Sequence, residues 1–151
     1  MINTLKDKLQ QELLGSNYIG RLAFLSGEHP YIIPITYYYD KENNRIISYS
    51  SEGHKIKAMR KNKMVALCVD EINSVNEWRS VMIHGEFHEV TRIDAKFLLH
   101  KFAEGVKNVI MAREKKKLHF ISEFSSKLES EGTPIVYVIR ILDTTGKYRE
   151  S

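Results

Sequence analysis

Four side chains with phosphate-binding chemistry lie close together in the middle of the chain: Ser50, Ser51, His54 and Lys55. They stand between a strand-like run at residues 46–50 and a basic segment of helical composition at about residues 54–61. The sequence therefore predicts that they surround the first turn of a short helix. Such a turn carries free backbone N–H groups and a partial positive charge. Adding hydroxyl, imidazole and ammonium groups there favours a phosphate-bearing ligand, and with it a cofactor.

The same residues also have a purely structural interpretation. Ser50 or Ser51 is a suitable N-cap for the helix, and Lys55 is one lysine among many. A cation in the first turn is unfavourable with the helix dipole, which favours an anion site. The GxxxxGK[ST] phosphate loop is absent, and the triplet Gly53-His54-Lys55 is not specific on its own. Both interpretations stay open on the residues alone.

The other candidates for chemistry are weaker. His84, His88 and His100 lack a further ligand at fixed spacing, so we expect surface or hydrogen-bonded histidines and no metal site. Cys68 is the only cysteine, which excludes a disulfide framework within the chain and a cysteine-rich metal site. Because it lies in the apolar run VALCV, we expect it to be buried and unreactive.

Composition restricts the class of protein. The 151 residues, 42% of them hydrophobic, fit one domain with a real core, and we expect a single domain over residues 1–151. The net charge is +4, with lysines clustered at residues 55–63 and 115–117. No nucleic-acid-binding motif accompanies these clusters, so we interpret them as solvated faces. The chain lacks both a membrane-length apolar run and a signal-peptide core, so we expect a cytoplasmic protein with no membrane partner.

Periodicity and turn residues predict the elements. A helix is expected in the first dozen residues, closing near Gly15. The polar stretch EINSVNEW is expected to be a loop. Asp94 is expected to cap a helix that carries Phe97, Leu98 and Phe102 on helical spacing, and a second helical region follows at about residues 108–124. Six strands are expected in YIGRLAFLSG, HPYIIPITYYYD, RIISYS, MVALCVD, WRSVMIHGEFHEVT and PIVYVIRILDTTGKYRE.

These elements predict a mainly β (α+β) fold, an antiparallel barrel with flanking helices. Pro34 in the middle of a strand predicts an edge or a bulge, and Gly85 predicts a bend or bulge. A barrel this small is filled by side chains. A large ligand must therefore bind on its outer surface or between two copies.

Four segments in this order resemble the pyridoxamine 5′-phosphate oxidase-like flavoproteins, and most closely the branch that contains the nitroimidazole-resistance proteins. The resemblance covers about residues 10–92 and, more loosely, the C-terminal strand. It implies a six-stranded antiparallel split barrel that forms a homodimer, with flavin mononucleotide (FMN) held at the subunit interface. The segments are GRLAF, PYIIPITYYYD, IISYSSEGHKIKAMRKNKMVALCVD and WRSVMIHGEFHEV.

The resemblance also implies roles for individual residues. His54 and Lys55 match the pair that grips the flavin phosphate, with His54 where arginine is frequent, so that its charge would depend on pH. Ser50 and Ser51 would add hydroxyl donors there. Tyr49 stands at or beside a position where many close relatives have histidine. We include it among the cofactor-binding residues, but chemistry that needs that histidine is not implied.

Two further segments complete the implied site. The strand residues whose backbone would lie along the isoalloxazine ring are Ile33, Pro34, Ile35 and Thr36. The residues that would reach the pocket, possibly from the other subunit, are Trp78, Arg79, Ser80 and Val81. The flavin would supply the redox chemistry, which implies an oxidoreductase acting on an unidentified small molecule.

Alternatives to this function stay open. They are a flavin- or haem-binding module without turnover, a deazaflavin in place of FMN, and a basic nucleic-acid-binding barrel. We expect no nucleic-acid partner.

Overall fold

The computed structural model describes residues 1–114 and 134–151. Its three helices are α1 (Asp7–Gly15), α2 (His54–Lys61) and α3 (Arg92–Arg113). Its strands are β1 (Asn3–Thr4), β2 (Ile19–Ser26), β3 (His29–Thr36), β4 (Tyr38–Asp40), β5 (Arg45–Ser50), β6 (Met64–Ser74), β7 (Glu77–Val90) and β8 (Ile135–Arg149).

All pairings between strands are antiparallel, in the order β3-β2-β6-β7-β8-β5-β4, with β1 added beside β8. The six longer strands are the six that the sequence predicts. Strand β1 has only two residues, too few for local patterning to reveal it. Strand β4 has three residues and is the end of HPYIIPITYYYD, which the sequence predicts as a single strand. The predicted antiparallel fold is therefore confirmed, with eight strands in the sheet.

The chain changes the strand with which it pairs between β3 and β4, and we call this point the fork. Before Tyr37 it pairs with β2, and after Tyr37 it pairs with β5. Pro34 lies opposite Arg21 of β2, on the strand at the end of the sheet order, so the predicted edge position is confirmed. A barrel that closes through such a fork is open between its two arms, and this opening positions the candidate site described below.

Two clusters of buried side chains hold these elements together. The larger fills the space enclosed by the sheet and includes Leu22, Leu67 and Ile83. The smaller, which includes Phe102, packs α3 against β5 and β8. The predicted bulge is confirmed at Gly85, where the β7–β8 register shifts. A Cβ at Gly85 would overlap Ile139, so glycine is the residue that fits.

Several sequence predictions are wrong in detail. EINSVNEW is not a loop, because β6 and β7 continue through it to a tight turn at Val75 and Asn76. Strand pairing thus overrides its polar composition. The helix cap is Thr91 rather than Asp94, and α3 continues without a break to Arg113. The rest of the helical region expected to residue 124, and lysines 115–117, lie outside the described residues.

Three expectations about burial and the N-terminus also differ from the structure. The first helix begins only at Asp7, because Asn3 and Thr4 pair with β8. Phe97 is 64% exposed, whereas Leu98 and Phe102 are buried as expected. Cys68 is half-buried rather than buried, since it lies on the outer face of β6 near the hydroxyl of Ser80. Among the described helices, none has the length and apolarity needed to cross a bilayer.

Candidate functional site

The fork leaves an opening between β3 and the end of β5, which we call the split. Its walls are residues 31–36 of β3 on one side and residues 48–54, leading into α2, on the other. Residues 48–50 pair with β8, but β4 reaches only residues 45–47 of β5. At the closed end of the split, Ser48 Oγ donates to the carbonyl oxygen of Thr36 (2.8 Å). At the other end, the rings of Tyr31 and His54 meet edge to face with centroids 5.0 Å apart.

The edge of β3 that faces the split offers free backbone groups. The Tyr37 N–H donates to the Tyr18 carbonyl (2.8 Å), which makes this a hydrogen-bonded pair. Such pairs alternate with non-hydrogen-bonded pairs along an antiparallel ladder. The backbone groups of Ile32, Pro34 and Thr36 therefore point away from β2. The missing N–H of Pro34 falls on this open edge and costs no ladder hydrogen bond. The split spans about 17 Å of extended strand from Tyr31 to Thr36.

The first turn of α2 contains no acidic residue and is capped by Gly53, without a side-chain cap from Ser50 or Ser51. Ser50 Oγ donates to the carbonyl of Ser51 (3.0 Å). Lys55 is half-buried, and it makes no hydrogen bond or ion pair with any residue that the structure describes. Burial lowers the pKa of its ammonium group, because a desolvated charge is destabilised. A half-buried cation without a partner among the described residues makes Lys55 a candidate position for binding an anion.

The His54 side chain is exposed, and it contacts residues from both strands of the β2–β3 hairpin. Its Nε2 lies 2.9 Å from Ser26 Oγ, and its ring meets those of Phe24 and Tyr31 at centroid distances of 5.9 and 5.0 Å. Phe24 and Tyr31 also stack on each other. Sequence analysis missed Ser26 and Tyr31, since they lie more than twenty residues from His54 and no local signal links them to it.

Other predicted residues reach the split through their backbone or do not reach it. Ile33 and Ile35 turn their side chains into the core. Tyr49 packs its ring on Phe102 of α3 (5.4 Å between centroids). It therefore lies on the opposite face of β5 from Ser48. The Tyr49 side chain thus faces a helix and not the split.

The segment from Trp78 to Val81 lies at the far end of the sheet. Trp78 is opposite Arg149, the last residue of β8, whereas Ser50 is opposite Ile135, the first. About 45 Å of extended strand separates these two positions of β8. One chain thus does not bring the two groups of predicted site residues together.

Within that segment, successive side chains point to opposite faces of β7. Trp78 and Ser80 share the outer face. Val81 is fully buried in the core. Arg79 shares the face of Val81 and donates to Glu71 Oε1 through Nε (3.0 Å) and Nη2 (2.7 Å). The guanidinium of Arg79 is therefore bound within its own chain.

Glu71 is the centre of this ion-pair cluster. Its other oxygen accepts from Asn17 (2.9 Å) and Arg113 (3.0 Å). Burial alone would raise the pKa of the Glu71 carboxyl, but the hydrogen bonds from Asn17, Arg79 and Arg113 outweigh it and lower the pKa to about 2. The cluster ties the α1–β2 connection, β6, β7 and the end of α3 together, and thereby fixes the strand that carries Trp78 and Ser80.

A cavity of about 600 Å³ lies beside this cluster. It is bounded by the N-terminal segment, the β6–β7 hairpin and the end of β8, and its lining includes Leu5, Trp78, Arg79, Tyr148 and Arg149. No three His, Cys, Asp or Glu side chains of the described residues are grouped to hold a metal ion. His84 and His88 instead pair with Asp143 (2.9 Å) and Glu86 (2.6 Å).

Comparison with known proteins gives one family and several relatives. The family model described as pyridoxamine 5′-phosphate oxidase matches residues 8–135. An uncharacterized protein of Rhizobium meliloti (strain 1021) is 36% identical over 80 residues, which are 53% of this chain and 52% of that protein. The match thus spans about half the length of this curated relative.

Solved structures share the fold over nearly the whole chain. A FAD-binding protein of Mesorhizobium loti has a TM-score of 0.77 at 23% identity and covers 100% of this chain and 98% of its own. A FAD and haem binding protein of Mycobacterium smegmatis has a TM-score of 0.69 at 16% identity, covering 99% and 74%. A candidate 5-nitroimidazole antibiotic resistance protein of Bacteroides thetaiotaomicron has a TM-score of 0.66 at 15% identity, covering 98% and 89%. At these identities the likeness shows the fold alone.

Proposed function

The chain belongs to the pyridoxamine 5′-phosphate oxidase family, and from this premise we propose that it is a flavoprotein that binds FMN in the split. The observation that carries the proposal is the combination of an open strand edge with a half-buried, unpartnered Lys55. A flavin needs both features. Its ring has hydrogen-bonding atoms that match a free strand edge, and its phosphate needs a cation and N–H donors.

Different residues of the chain would bind the ring and the phosphate of the flavin. Along β3, the outward carbonyl oxygen of Pro34 and the outward N–H of Thr36 would be available to the ring, whereas the Thr36 carbonyl oxygen accepts from Ser48 Oγ. At the start of α2, Lys55 would hold the phosphate with the free N–H groups of the first turn. Ser50 and Ser51 would add hydroxyl donors. One half-buried cation suits one phosphate group, which favours FMN over the dinucleotide, although neighbouring structures are described as FAD-binding.

The site requires a second copy of the chain, and we propose a homodimer with a flavin at each side of the interface. Trp78 and Ser80 would complete the pocket, and they lie at the opposite end of β8 from Ser50. Two copies related by a two-fold axis supply both groups to each site. Arg79 and Val81 would contribute by fixing the strand rather than by touching the flavin.

The outer face of the sheet supports this dimer. Cross-strand neighbours on this face form rows of small and apolar side chains, such as Ile32, Ala23 and Ala66. Ile32 is 69% exposed, and Leu142, Met64 and Met82 are also exposed. A contiguous exposed apolar patch is typical of a surface that another chain covers.

Bound flavin would supply the redox chemistry, which makes the proposed activity an oxidoreductase acting on a small molecule. A nicotinamide-type hydride donor and a nitroaromatic or quinone acceptor are the candidate reactants. Bleaching of the bound-flavin band by the donor, and its return with the acceptor, would establish turnover. An unchanged band with every donor would instead identify a flavin-binding module.

Titration of the purified protein with FMN, FAD, riboflavin and haem tests the binding proposal. We expect one FMN per chain, with two flavin absorption bands and an affinity at least tenfold above that of riboflavin. Equal affinities for FMN and riboflavin would contradict the phosphate site. Tighter binding of FAD would contradict the mononucleotide assignment, and an intense Soret band without flavin bands would contradict the flavin assignment.

A further inference from the structure

We propose that Ser48 is a positioning residue for the flavin ring. Its hydroxyl occupies the carbonyl oxygen of Thr36, so that the Thr36 N–H is the group that the closed end of the split offers to the ring. The inference rests on the proposed function, and it concerns the ring rather than the phosphate. Ser48 has no role among the cofactor-binding residues that the sequence predicts.

The contact that carries the inference joins Ser48 Oγ to the carbonyl oxygen of Thr36 at 2.8 Å. Its direction is fixed, because a carbonyl oxygen can only accept and the hydroxyl must donate. Ser48 is 1% exposed, and Tyr137, its neighbour on β8, is fully buried. Because the hydroxyl is shielded from water, the Thr36 carbonyl is the acceptor that satisfies it.

This contact lies where the β4–β5 ladder ends. Tyr38 is opposite Ile47, so continued pairing would place Tyr37 opposite Ser48. The Tyr37 N–H instead donates to the carbonyl oxygen of Tyr18 (2.8 Å). The Ser48 side chain therefore makes the link between β5 and the end of β3 that the backbone does not make. It joins the two walls of the split and sets how far the split extends.

The hydrogen bond leaves a defined pattern of donors and acceptors on the open edge of β3. Thr36 is opposite Ile19 in a non-hydrogen-bonded pair, so its N–H and carbonyl oxygen both point away from β2. Ser48 occupies the carbonyl oxygen, and no described strand pairs with the N–H, because β3 is the last strand in the sheet order. Pro34 contributes only its carbonyl oxygen. The edge therefore offers one acceptor, from Pro34, followed by one donor, from Thr36.

This pattern suits an isoalloxazine ring, which carries two carbonyl oxygens and two unprotonated ring nitrogens but only one N–H. An unoccupied Thr36 carbonyl would face these acceptors beside the N–H. It would bind water in the free protein, and flavin binding would have to remove that water without replacing its hydrogen bond. Ser48 satisfies this carbonyl before any ligand binds. Loss of its hydroxyl should therefore weaken binding of the ring and leave the phosphate contacts unchanged.

The affinity test compares Ser48→Ala with the matched control Ser16→Ala. Ser16 Oγ also donates to a backbone carbonyl, that of Leu13, but at the end of α1. Ser48→Ala should weaken binding of FMN, riboflavin and lumiflavin by the same factor of about three to ten, because the three ligands share the ring. Ser48→Cys keeps a weak donor and should fall between Ser48→Ala and the unmodified protein. Ser16→Ala should bind all three ligands as the unmodified protein does.

Two results of this comparison would overturn the inference. One is a loss confined to FMN, which would place the effect at the phosphate. The other is a Ser48→Ala protein of lower Tm with unchanged affinity for all three ligands, which would make the hydroxyl merely structural. Failure of the unmodified protein to bind any flavin would instead overturn the proposed function.

Amide hydrogen exchange measures the proposed donor directly and does not depend on the folding of a variant. Saturating riboflavin should slow exchange of the Thr36 N–H in the unmodified protein at least about tenfold. At equal saturation, Ser48→Ala should show less protection at this N–H. Exchange that is as fast with bound riboflavin as without it, or equal protection in both proteins, would contradict the role assigned to Ser48.

Discussion

Replacement of Lys55 by methionine should weaken FMN binding and stabilise the free protein at the same time. Methionine keeps the length of the side chain but removes the half-buried charge that has no partner in the described structure. A charge-assisted hydrogen bond contributes about 1.5–3 kcal/mol. We therefore expect the Kd for FMN to rise about ten- to a hundredfold, with a much smaller change for riboflavin.

The effect on thermal stability follows from mass action. At an FMN concentration of about one hundred times the Kd, binding stabilises the unmodified protein by about 2.7 kcal/mol. A thirtyfold weaker Kd at the same concentration leaves about 0.9 kcal/mol. For a chain of this size, the FMN-induced rise in Tm should fall from about 8 °C to about 3 °C.

The ligand-free protein should change in the opposite direction. Because burial lowers the pKa of Lys55, the unfolded state binds this proton more readily, and stability rises with pH towards the ordinary pKa of lysine. Lys55→Met removes that destabilisation, so the free energy of unfolding should increase by about 0.5–1 kcal/mol near neutral pH.

Thermal unfolding with and without FMN measures both effects. Lys57→Met is the matched control, because Lys57 lies on the same helix and is exposed. It should change neither the Kd for FMN nor the Tm of the free protein appreciably. Equal losses of FMN and riboflavin affinity in Lys55→Met would refute the phosphate assignment. A less stable free protein would refute the argument from desolvation.

Three further predictions test other parts of the structure. Gly85→Ala should lower the free energy of unfolding by roughly 2 kcal/mol, because the added Cβ overlaps Ile139 and lies 2.7 Å from the carbonyl oxygen of Arg140; an unchanged urea midpoint would contradict this. FMN should quench the fluorescence of Trp78, the lone tryptophan, and full emission at saturating FMN would exclude it from the pocket. The pKa of Glu71 is about 2 in the folded chain, so its contribution to stability is present above about pH 4.5 and is lost as the pH falls towards 2. Glu71→Gln should flatten that part of the stability profile, and an identical acid sensitivity in both proteins would contradict the ion-pair cluster.

The sequence predicts the parts of this molecule that local signals determine. The helix at residues 54–61 lies where its basic amphipathic segment suggests, and Pro34 and Gly85 mark an edge and a bulge because each has a backbone property that the position requires. The six longer strands follow from alternation and turn residues. The loop prediction for EINSVNEW is wrong because a strand that projects at the end of a hairpin can be polar on both faces.

The candidate site is less accessible to sequence reasoning, since it depends on contacts between distant residues. Lys55 can be singled out because it stands at an unfavourable position for a cation. Ser26 gives no such signal, although it contacts His54 across 28 residues. Arg79 follows the resemblance, yet its pairing with Glu71 and its side of the strand emerge only when β6 and β7 are placed in register.

The proposed placement of each flavin between two copies is tested most directly by mixing two defective variants. Lys55→Met impairs one side of the site, and Ser80→Glu places a negative charge on the other side. If each site takes Lys55 from one copy and Ser80 from its partner, random mixing after dissociation should restore about a quarter of the high-affinity FMN sites, because half of the dimers are mixed and each has one intact site. If Lys55 and Ser80 act on the same flavin within one chain, mixing will restore no high-affinity sites. If Ser80 does not face the flavin, Ser80→Glu alone will bind FMN as the unmodified protein does. Either result contradicts the account.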